Sequence, residues 1–453
     1  MCLLPRLKSK AIPLIPMPVK TAFFSDVYKG YAYSYPHKHA YHALEQPALL
    51  RDAWQGENKQ ALFLYIHIPF CEMRCGFCNL FTIANPEEGA ANAYLKQLQV
   101  QATAMKALLG DADFGQLAVG GGTPTYLETD ELETLFRIIE NTLGAKPKAV
   151  PFSFEMSPKT ITAEKLELLK AKGVDRVSMG VQSFTESETK QLGRPQHTAG
   201  VYAALELLRE AVFPVMNLDL IYGVPGQTTA SWLYSIKEAL RFSPEELFLY
   251  PLYVRPFTGM DKMQAEASAQ RQAFYRAGRD YLLEQGYEQV SMRMFRKKNT
   301  PSRNTLYRCQ EDGMLGLGAG ARSYTRALHY SSEYAVGRKG VREIIADYMK
   351  KSAADFQIAD YGFYLDNAEQ RRRHLIKSLL HGTGLDAERY RAAFASDVLD
   401  DFPQVRQLLD AGYVKTNGNE LIITQNGLEY ADAIGPWLYS DAVNERIAGF
   451  ELR

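Results

Sequence analysis

Leu62-Phe63-Leu64-Tyr65-Ile66-His67-Ile68-Pro69-Phe70-Cys71-Glu72-Met73-Arg74-Cys75-Gly76-Phe77-Cys78 begins as an alternating strand and ends as a cysteine loop. Leu62, Leu64, Ile66 and Ile68 share one face and Phe63, Tyr65 and His67 the other, the period of two expected of a strand between two different surroundings. The loop carries three of the chain's five cysteines at a Cys-x3-Cys-x2-Cys spacing. Three thiolates on so short a loop can wrap a compact cluster of soft metal and leave one metal position without a protein ligand, hence open to reaction. Two other readings use the same residues: a zinc ion completed by His67, and three unligated thiols. Structural zinc usually shows paired two-cysteine knuckles, and His67 lies on a strand that faces differently from the loop. Unligated thiols leave the spacing unexplained.

Outward from this strand, apolar runs at 62–68, 115–119, 150–155, 175–181, 214–221 and 246–253 alternate with helical patterns at 91–109, 129–143, 162–172, 198–211 and 228–241. Six strands alternating with helices predict an α/β chain with a parallel sheet or barrel. The strands also carry polar residues on one face: Ser153 and Glu155, then Ser178, Gly180 and Gln182, then Asn217 and Asp219. A closed barrel interior packs branched apolar residues, so converging polar groups predict a polar ligand at the C-terminal ends of the strands. Carboxylates buried in pairs with Arg176 or Arg194 are the other reading.

The flanks divide by composition. Residues 1–22 read as a loose tail, and 23–60 as a Tyr-rich segment with His37, His39 and His42, either a packed cover or a lid. The barrel pattern occupies 61–255. Residues 256–360 form an Arg- and Tyr-rich extension with Arg293, Arg296, Arg308 and the run Gly316-Leu317-Gly318-Ala319-Gly320-Ala321-Arg322. From 361 to 453, helical patterns at 367–381 and 403–411 precede a hairpin candidate, Tyr413–Ile423, with Asn417-Gly418 at its turn, an order like that of a winged helix. That unit has 14 Asp+Glu against 10 Lys+Arg, the wrong sign for a DNA-binding face.

The whole chain of 453 residues balances 52 Lys+Arg with 52 Asp+Glu, so no global field favours nucleic acid or an anionic membrane. No apolar stretch is long enough to span a bilayer, and Pro5, Pro13, Pro16 and Pro18 interleave with Arg6, Lys8, Lys10 and Lys20 where a secretion signal would be apolar. These features predict a cytoplasmic protein without an integral membrane segment or a nucleic-acid partner. Met17 is a second candidate start, and Cys2 and Cys309 have no assigned role.

The cysteine motif resembles that of radical S-adenosylmethionine (SAM) enzymes, and Tyr65-Ile66-His67-Ile68-Pro69-Phe70 resembles the branch that holds oxygen-independent coproporphyrinogen III oxidase and its related heme chaperone. Gly120-Gly121-Gly122-Thr123-Pro124-Thr125, Glu155, Ser178-Met179-Gly180-Val181-Gln182-Ser183-Phe184 and Asn217-Leu218-Asp219-Leu220-Ile221-Tyr222-Gly223 extend the likeness in order. It is strong over about 60–255 and looser over 361–453, while Gly30–His37 resembles a distinct bacterial branch of unassigned substrate. The resemblance implies a partial (β/α)6 barrel with a mostly helical, winged-helix-like C-terminal domain. It implies a 4Fe-4S cluster on Cys71, Cys75 and Cys78, with the fourth iron chelated by SAM, and one-electron cleavage of SAM to a 5′-deoxyadenosyl radical. Tyr65, Gly121 and Glu155 match positions that hold this SAM; Phe77, Gly122, Thr123, Gln182, Arg194 and Asp219 match positions lining a second. In the residues themselves, a glycine run lets backbone approach a ligand, although it also serves tight βα turns; Arg194 can clamp a carboxylate.

Two departures weigh against porphyrinogen decarboxylation and leave cluster and SAM binding untouched. Asn79-Leu80 stands where the oxidase has a fourth cysteine, and Arg322 where it has an apolar residue. The resemblance further implies a small-molecule substrate, tetrapyrrole or heme, with Arg293, Arg308 or Arg322 for its propionates, and an electron donor such as flavodoxin or ferredoxin. A heme-binding chaperone without turnover and a radical SAM methyltransferase are the alternatives.

Overall fold

The computed structural model describes residues 24–452 except Tyr33, Gln264, Ala265 and Ser302; the expected tail at 1–22, with Cys2 and Met17, lies outside the described residues. Strands β1 (Leu62–Ile68), β2 (Phe114–Gly121), β3 (Phe152–Met156), β4 (Arg176–Gln182), β5 (Val215–Tyr222) and β6 (Glu246–Pro251) stand side by side in that order, every neighbouring pair parallel. Helices α1 (Ala90–Leu109), α2 (Thr129–Arg137), α3 (Ala163–Ala171), α4 (Thr198–Ala211), α5 (Thr229–Arg241) and α6 (Ser268–Glu284) follow the strands one by one. Their starts are written locally: Glu128 and Glu131 form a capping box for α2, Thr228 and Ser231 one for α5, and Thr162 caps α3. The apolar face of β1 joins Leu95, Leu98 and Met105 of α1 in one core. Each such buried Leu or Ile stabilises by about 1.5–3 kcal/mol over its exposed state.

The opposite faces enclose a lumen. Glu155 keeps accessible surface there and Tyr65, Asp219 and Tyr250 keep some, although protein surrounds all four. At the N-terminal ends of the strands Glu246 is fully buried between Arg176 (2.8 Å) and Arg296 (2.6 Å).

The sheet extends past both sides of the six strands. Met314–Leu317 lies parallel to β1, followed outward by Arg322–Tyr324, Leu328–Ser331, Ile358–Tyr364 and His42–Leu49, all antiparallel; Met294–Lys297 and Tyr287–Gln289 extend β6. The six strands are thus the middle of a thirteen-stranded open sheet. Ile358–Tyr364 crosses the boundary expected at 361, and the C-terminal unit starts with the Asp366-capped helix Asn367–Leu379. In the hairpin Asn417 pairs with Glu420, which moves the two-residue turn one position on, to Gly418 (φ +60°) and Asn419. Phe24, Tyr35 and Tyr41 are core residues of this C-terminal unit, packed with Leu375, Ile376 and Ile434. Those N-terminal aromatics act as packed cover. No helix among the described residues is long and apolar enough to cross a membrane.

Candidate functional site

Beyond β1 the chain enters a two-residue strand, Phe70–Cys71, which pairs with Ile83–Ala84 and closes the cysteine loop. Asn85 N–H donates to Cys71 O at 3.0 Å, Gly76 N–H to Leu192 O at 2.9 Å and Met260 N–H to Gly76 O at 3.0 Å. A Cβ on Gly76 would stand 2.8 Å from Leu192 O, so the loop can dock this closely only with glycine there. Cys71 and Cys75 are buried, Cys78 is half-buried, none is in a disulfide, and they lie within electrostatic reach of one another. Burial pushes the Cys71 thiol up to about 12 and Cys78 above its usual range. Such thiols give up their protons to a metal's positive charge.

Among the described residues no three His, Cys, Asp or Glu side chains converge closely enough to hold one metal ion. His67 is occupied elsewhere: burial lowers it to about 4, Nε2–H donates to Phe81 O at 2.8 Å, and the Tyr65 hydroxyl donates to Nδ1 at 3.2 Å. A zinc ion completed by His67 does not fit this arrangement. A polynuclear cluster, whose metals are themselves spread apart, does not require thiols that converge on one point.

The ends of β2 to β5 gather around this loop. Thr123 N–H donates to Phe70 O at 2.7 Å, and its hydroxyl meets Cys71 Sγ at 3.5 Å. A Cβ on Gly122 would stand 2.5 Å from Phe70 O and 2.9 Å from Cys71 Sγ. Gly121 has φ +121° and donates its N–H to Glu155 Oε2 at 3.0 Å. Burial raises the Glu155 carboxyl to about 7 against that hydrogen bond, and the nearby Asp219 adds to the rise. Burial likewise raises Asp219 to about 6, although Asn217 Nδ2 donates to it at 2.7 Å. Asn217 Oδ1 is buried without a partner, a cost that a ligand's donor would remove.

Arg194 reaches in from the far side, donating to Gly180 O at 2.9 Å and to Cys75 Sγ at 3.4 Å. Gln182 closes β4 with φ +70°, where the register against β5 shifts. A non-glycine residue there is strained, and strain of this kind gathers at functional sites. Phe77 packs on the apolar cluster of Leu192, Ile221, Val224, Leu252 and Met260. Neither Glu155 nor Asp219 forms an ion pair with Arg176 or Arg194 among the described residues; Arg176 turns to Glu246 and Arg194 to Cys75.

Of the three arginines expected to meet propionates, one is paired inside the protein and one lies at the far end of the barrel. Arg293 is buried against Asp432, with side chains 3% and 1% exposed, while its Nε is buried without a partner and its charge also acts on Tyr250. Arg308 follows Tyr307, which packs 5.2 Å from Phe63 at the opposite end of the barrel. Arg322 stands near Tyr65 and His67, at the cysteine end. Lys38 and Arg255, which carry no motif, also lie there; the nearness of Lys38 to Cys78 is the signal that the sequence could not offer.

Known proteins are similar to this chain in sequence and fold. The Radical SAM superfamily profile matches residues 65–239. The chain is 29% identical over 376 residues to the heme chaperone HemW of Bacillus subtilis, spanning 80% of this chain and 95% of the chaperone. It is 27% identical over 390 residues to the oxygen-independent coproporphyrinogen III oxidase of Escherichia coli, spanning 82% and 83%. The solved structure of coproporphyrinogen III oxidase (HemN) from Escherichia coli has the same fold, with a TM-score of 0.76 over 90% of this chain and 96% of that one at 23% identity. By its cysteine loop, its barrel and these relatives, the chain is HemN- and HemW-like, and its residues 65–239 match the radical SAM superfamily.

Proposed function

We propose that this protein is a radical SAM enzyme acting on a tetrapyrrole, in the cytoplasm, with a one-electron donor such as flavodoxin or ferredoxin. Its superfamily implies a 4Fe-4S cluster and SAM; the residue roles and the substrate are our reading. The observation that carries it is the seating of Gly122 against Cys71, too close for any side chain, beside a lumen into which Glu155 and Asp219 project. When bound, cluster and SAM supply a one-electron cleavage that delivers a 5′-deoxyadenosyl radical.

In this reading Cys71, Cys75 and Cys78 hold the cluster, and Tyr65, Gly121 and Glu155 hold SAM. The Gly121 N–H fixes the Glu155 carboxyl at 3.0 Å, so its direction is set before a ligand arrives. Phe77, Gly122, Thr123, Gln182, Arg194 and Asp219 form a second SAM position; Arg194 orients a carboxylate and Asp219 accepts from hydroxyl or ammonium groups. Phe77 and the apolar cluster beneath it exclude water. A tetrapyrrole is supported by the names of both relatives, a coproporphyrinogen III oxidase and a heme chaperone.

The match over 95% of a heme chaperone favours a second reading, heme carriage without turnover. Anaerobic reconstitution and dithionite reduction with SAM, with iron and 5′-deoxyadenosine measured together, decide between the two. A full iron complement with SAM cleavage sustains the enzyme. The same iron without cleavage, in a chain that binds heme stoichiometrically, supports the chaperone. Release of S-adenosylhomocysteine would identify a methyltransferase using the second position.

A further inference from the structure

Glu188, which the barrel chemistry leaves unused, is 5% exposed in the short helix Glu186–Gln191 that follows β4. Its carboxylate accepts from three uncharged groups: the Ser183 hydroxyl at 2.7 Å and the Gln227 amide at 3.0 Å on Oε2, and the Ser231 hydroxyl at 2.6 Å on Oε1. A buried carboxylate held by uncharged donors costs more to place than an apolar side chain of its size, so filling space does not account for it. The donors sit behind two neighbouring strands. Ser183 is the first residue after β4, while Gln227 and Ser231 follow β5, where Gln227 Oε1 accepts from Gly223 N–H at 2.8 Å.

At the end of β4 the chain turns sharply. Ser183 N–H donates to Val181 O at 2.9 Å, which closes a three-residue turn about Gln182 at φ +70°. The register against β5 slips at the same place, so that Gly180 faces Asp219 and Gln182 faces Leu220. A turn of this hand is strained for a residue with a side chain and persists where the surroundings hold it. Gln196 Nε2 donates to Val181 O at 2.8 Å, Ser235 Oγ accepts from Phe184 N–H at 3.1 Å, and Glu188 binds Ser183 while it also binds the loop after β5. The turn lays the Gln182 amide over Gly180: a Cβ there would stand 2.6 Å from Nε2 and 3.9 Å from Arg194 Nη1. Irregularities of this kind re-aim a side chain beside a functional site.

We propose that Glu188 is a positioning residue: it ties the turn after β4 to the loop after β5 and so holds the Gln182 amide over Gly180, beside Arg194, where a ligand meets it. The ligand part rests on the second SAM position proposed above. Glu188 touches no ligand itself, and its action passes through Ser183 to Gln182. A carboxylate suits the task because both of its oxygens accept, whereas an amide has one accepting oxygen and would leave Ser231 unmet.

The test uses the whole reconstituted chain, with bound SAM counted by equilibrium dialysis and iron counted beside it. Glu188→Leu weakens the second SAM about tenfold and leaves the first SAM and the iron at wild-type values. Glu188→Gln, whose amide oxygen still meets Ser183 and Gln227, restores most of that loss. Gln182→Ala weakens the same SAM, and Glu188→Leu on top of it adds nothing, because the carboxylate acts through that amide. Additive losses, or wild-type affinity for the second SAM in Glu188→Leu, overturn the proposal. Equal loss of both SAM molecules and of iron, the mark of a chain loosened as a whole, overturns it too. Where Glu188→Leu does not fold, Ser183→Ala cuts the tie at its other end and is read in the same way. If the wild type binds one SAM or none, the second position falls, and crystal structures of wild type and Glu188→Leu decide the role of Glu188. A Gln182 φ that is positive in the wild type and extended in the variant sustains it; the same φ in both overturns it.

Discussion

Arg293→Met asks whether this arginine holds the fold or a ligand. Nη1 donates to Asp432 Oδ1 at 2.8 Å, Nη2 donates to Oδ2, and the Tyr253 hydroxyl donates to the same carboxylate. The guanidinium also lies 3.7 Å from the Tyr31 ring centroid, and Gly30 N–H donates to Asp432 O at 3.1 Å. One pair therefore ties the residue before Met294–Lys297 to the N-terminal segment and to the C-terminal helix Ala431–Trp437. Removing Arg293 leaves a carboxylate that is 1% exposed without its counter-charge, a loss of about 3–5 kcal/mol. Asp432→Leu in addition leaves no orphaned charge, so the double variant recovers most of that loss, with a coupling of about 3 kcal/mol. Urea denaturation of wild type, both single variants and the double variant supplies the cycle. A single variant within about 1 kcal/mol of wild type would refute the structural role. So would an unchanged denaturation midpoint accompanied by lost affinity for coproporphyrin, which would return Arg293 to the substrate.

Gly122→Ala places a Cβ 2.5 Å from Phe70 O and 2.9 Å from Cys71 Sγ; we expect a cost of about 1–3 kcal/mol and loss of most of the reconstituted iron, and a full iron complement would contradict the seating. Cys75→Ala should abolish the brown cluster absorbance and SAM cleavage together, an expectation that four bound irons in the variant would sink. Glu155 rises from 4.5 to about 7 in the fold, so the folded chain holds a proton that the unfolded chain releases across that window. Its contribution is therefore most favourable below 4.5 and falls as pH rises towards 7. Glu155→Gln gains stability relative to wild type between pH 5 and pH 8, and a difference that stays constant in paired denaturation curves rules this out.

The alternation of strands and helices is legible because each element carries its own period. Leu62–Ile68 is read to the residue, since its two faces meet different surroundings. The pattern predicts a strand at 115–119, and the strand runs on to Gly121, because glycines carry no apolar signal yet keep pairing with β1. The helix expected over 129–143 divides at Arg137 into α2 and a π-helical turn, Ile138–Thr142, since an apolar period tolerates one wider turn. Met314–Leu317 is invisible as a neighbour of β1, because its partner lies about 250 residues earlier and no local pattern encodes that pairing. Arg293 and Asp432, 139 residues apart, are hidden for the same reason, and that is why the sequence alone offers Arg293 to a propionate.

The same distinction separates the chemistry from the substrate. The cysteine spacing, the glycine run and Glu155 are each fixed within one strand or its following loop, so the site we propose for radical chemistry can be read locally. The route to it cannot. At the lower end of the lumen Glu246 binds Arg176 and Arg296, Tyr307 packs on Phe63, the Thr305 hydroxyl donates to Gly115 O at 2.7 Å, and Arg303 donates to Pro147 O and Val150 O at 2.9 Å. In our reading a ligand for Glu155 and Asp219 comes from the cysteine end, where Lys38, Arg255 and Arg322 lie. Those three residues come from the N-terminal segment, the end of β6 and the strand Arg322–Tyr324, and only the assembled sheet brings them together. What a ligand meets at that end is thus set by the assembled sheet and not by the cysteine loop, which is why the motif we propose for the radical chemistry is silent about its substrate.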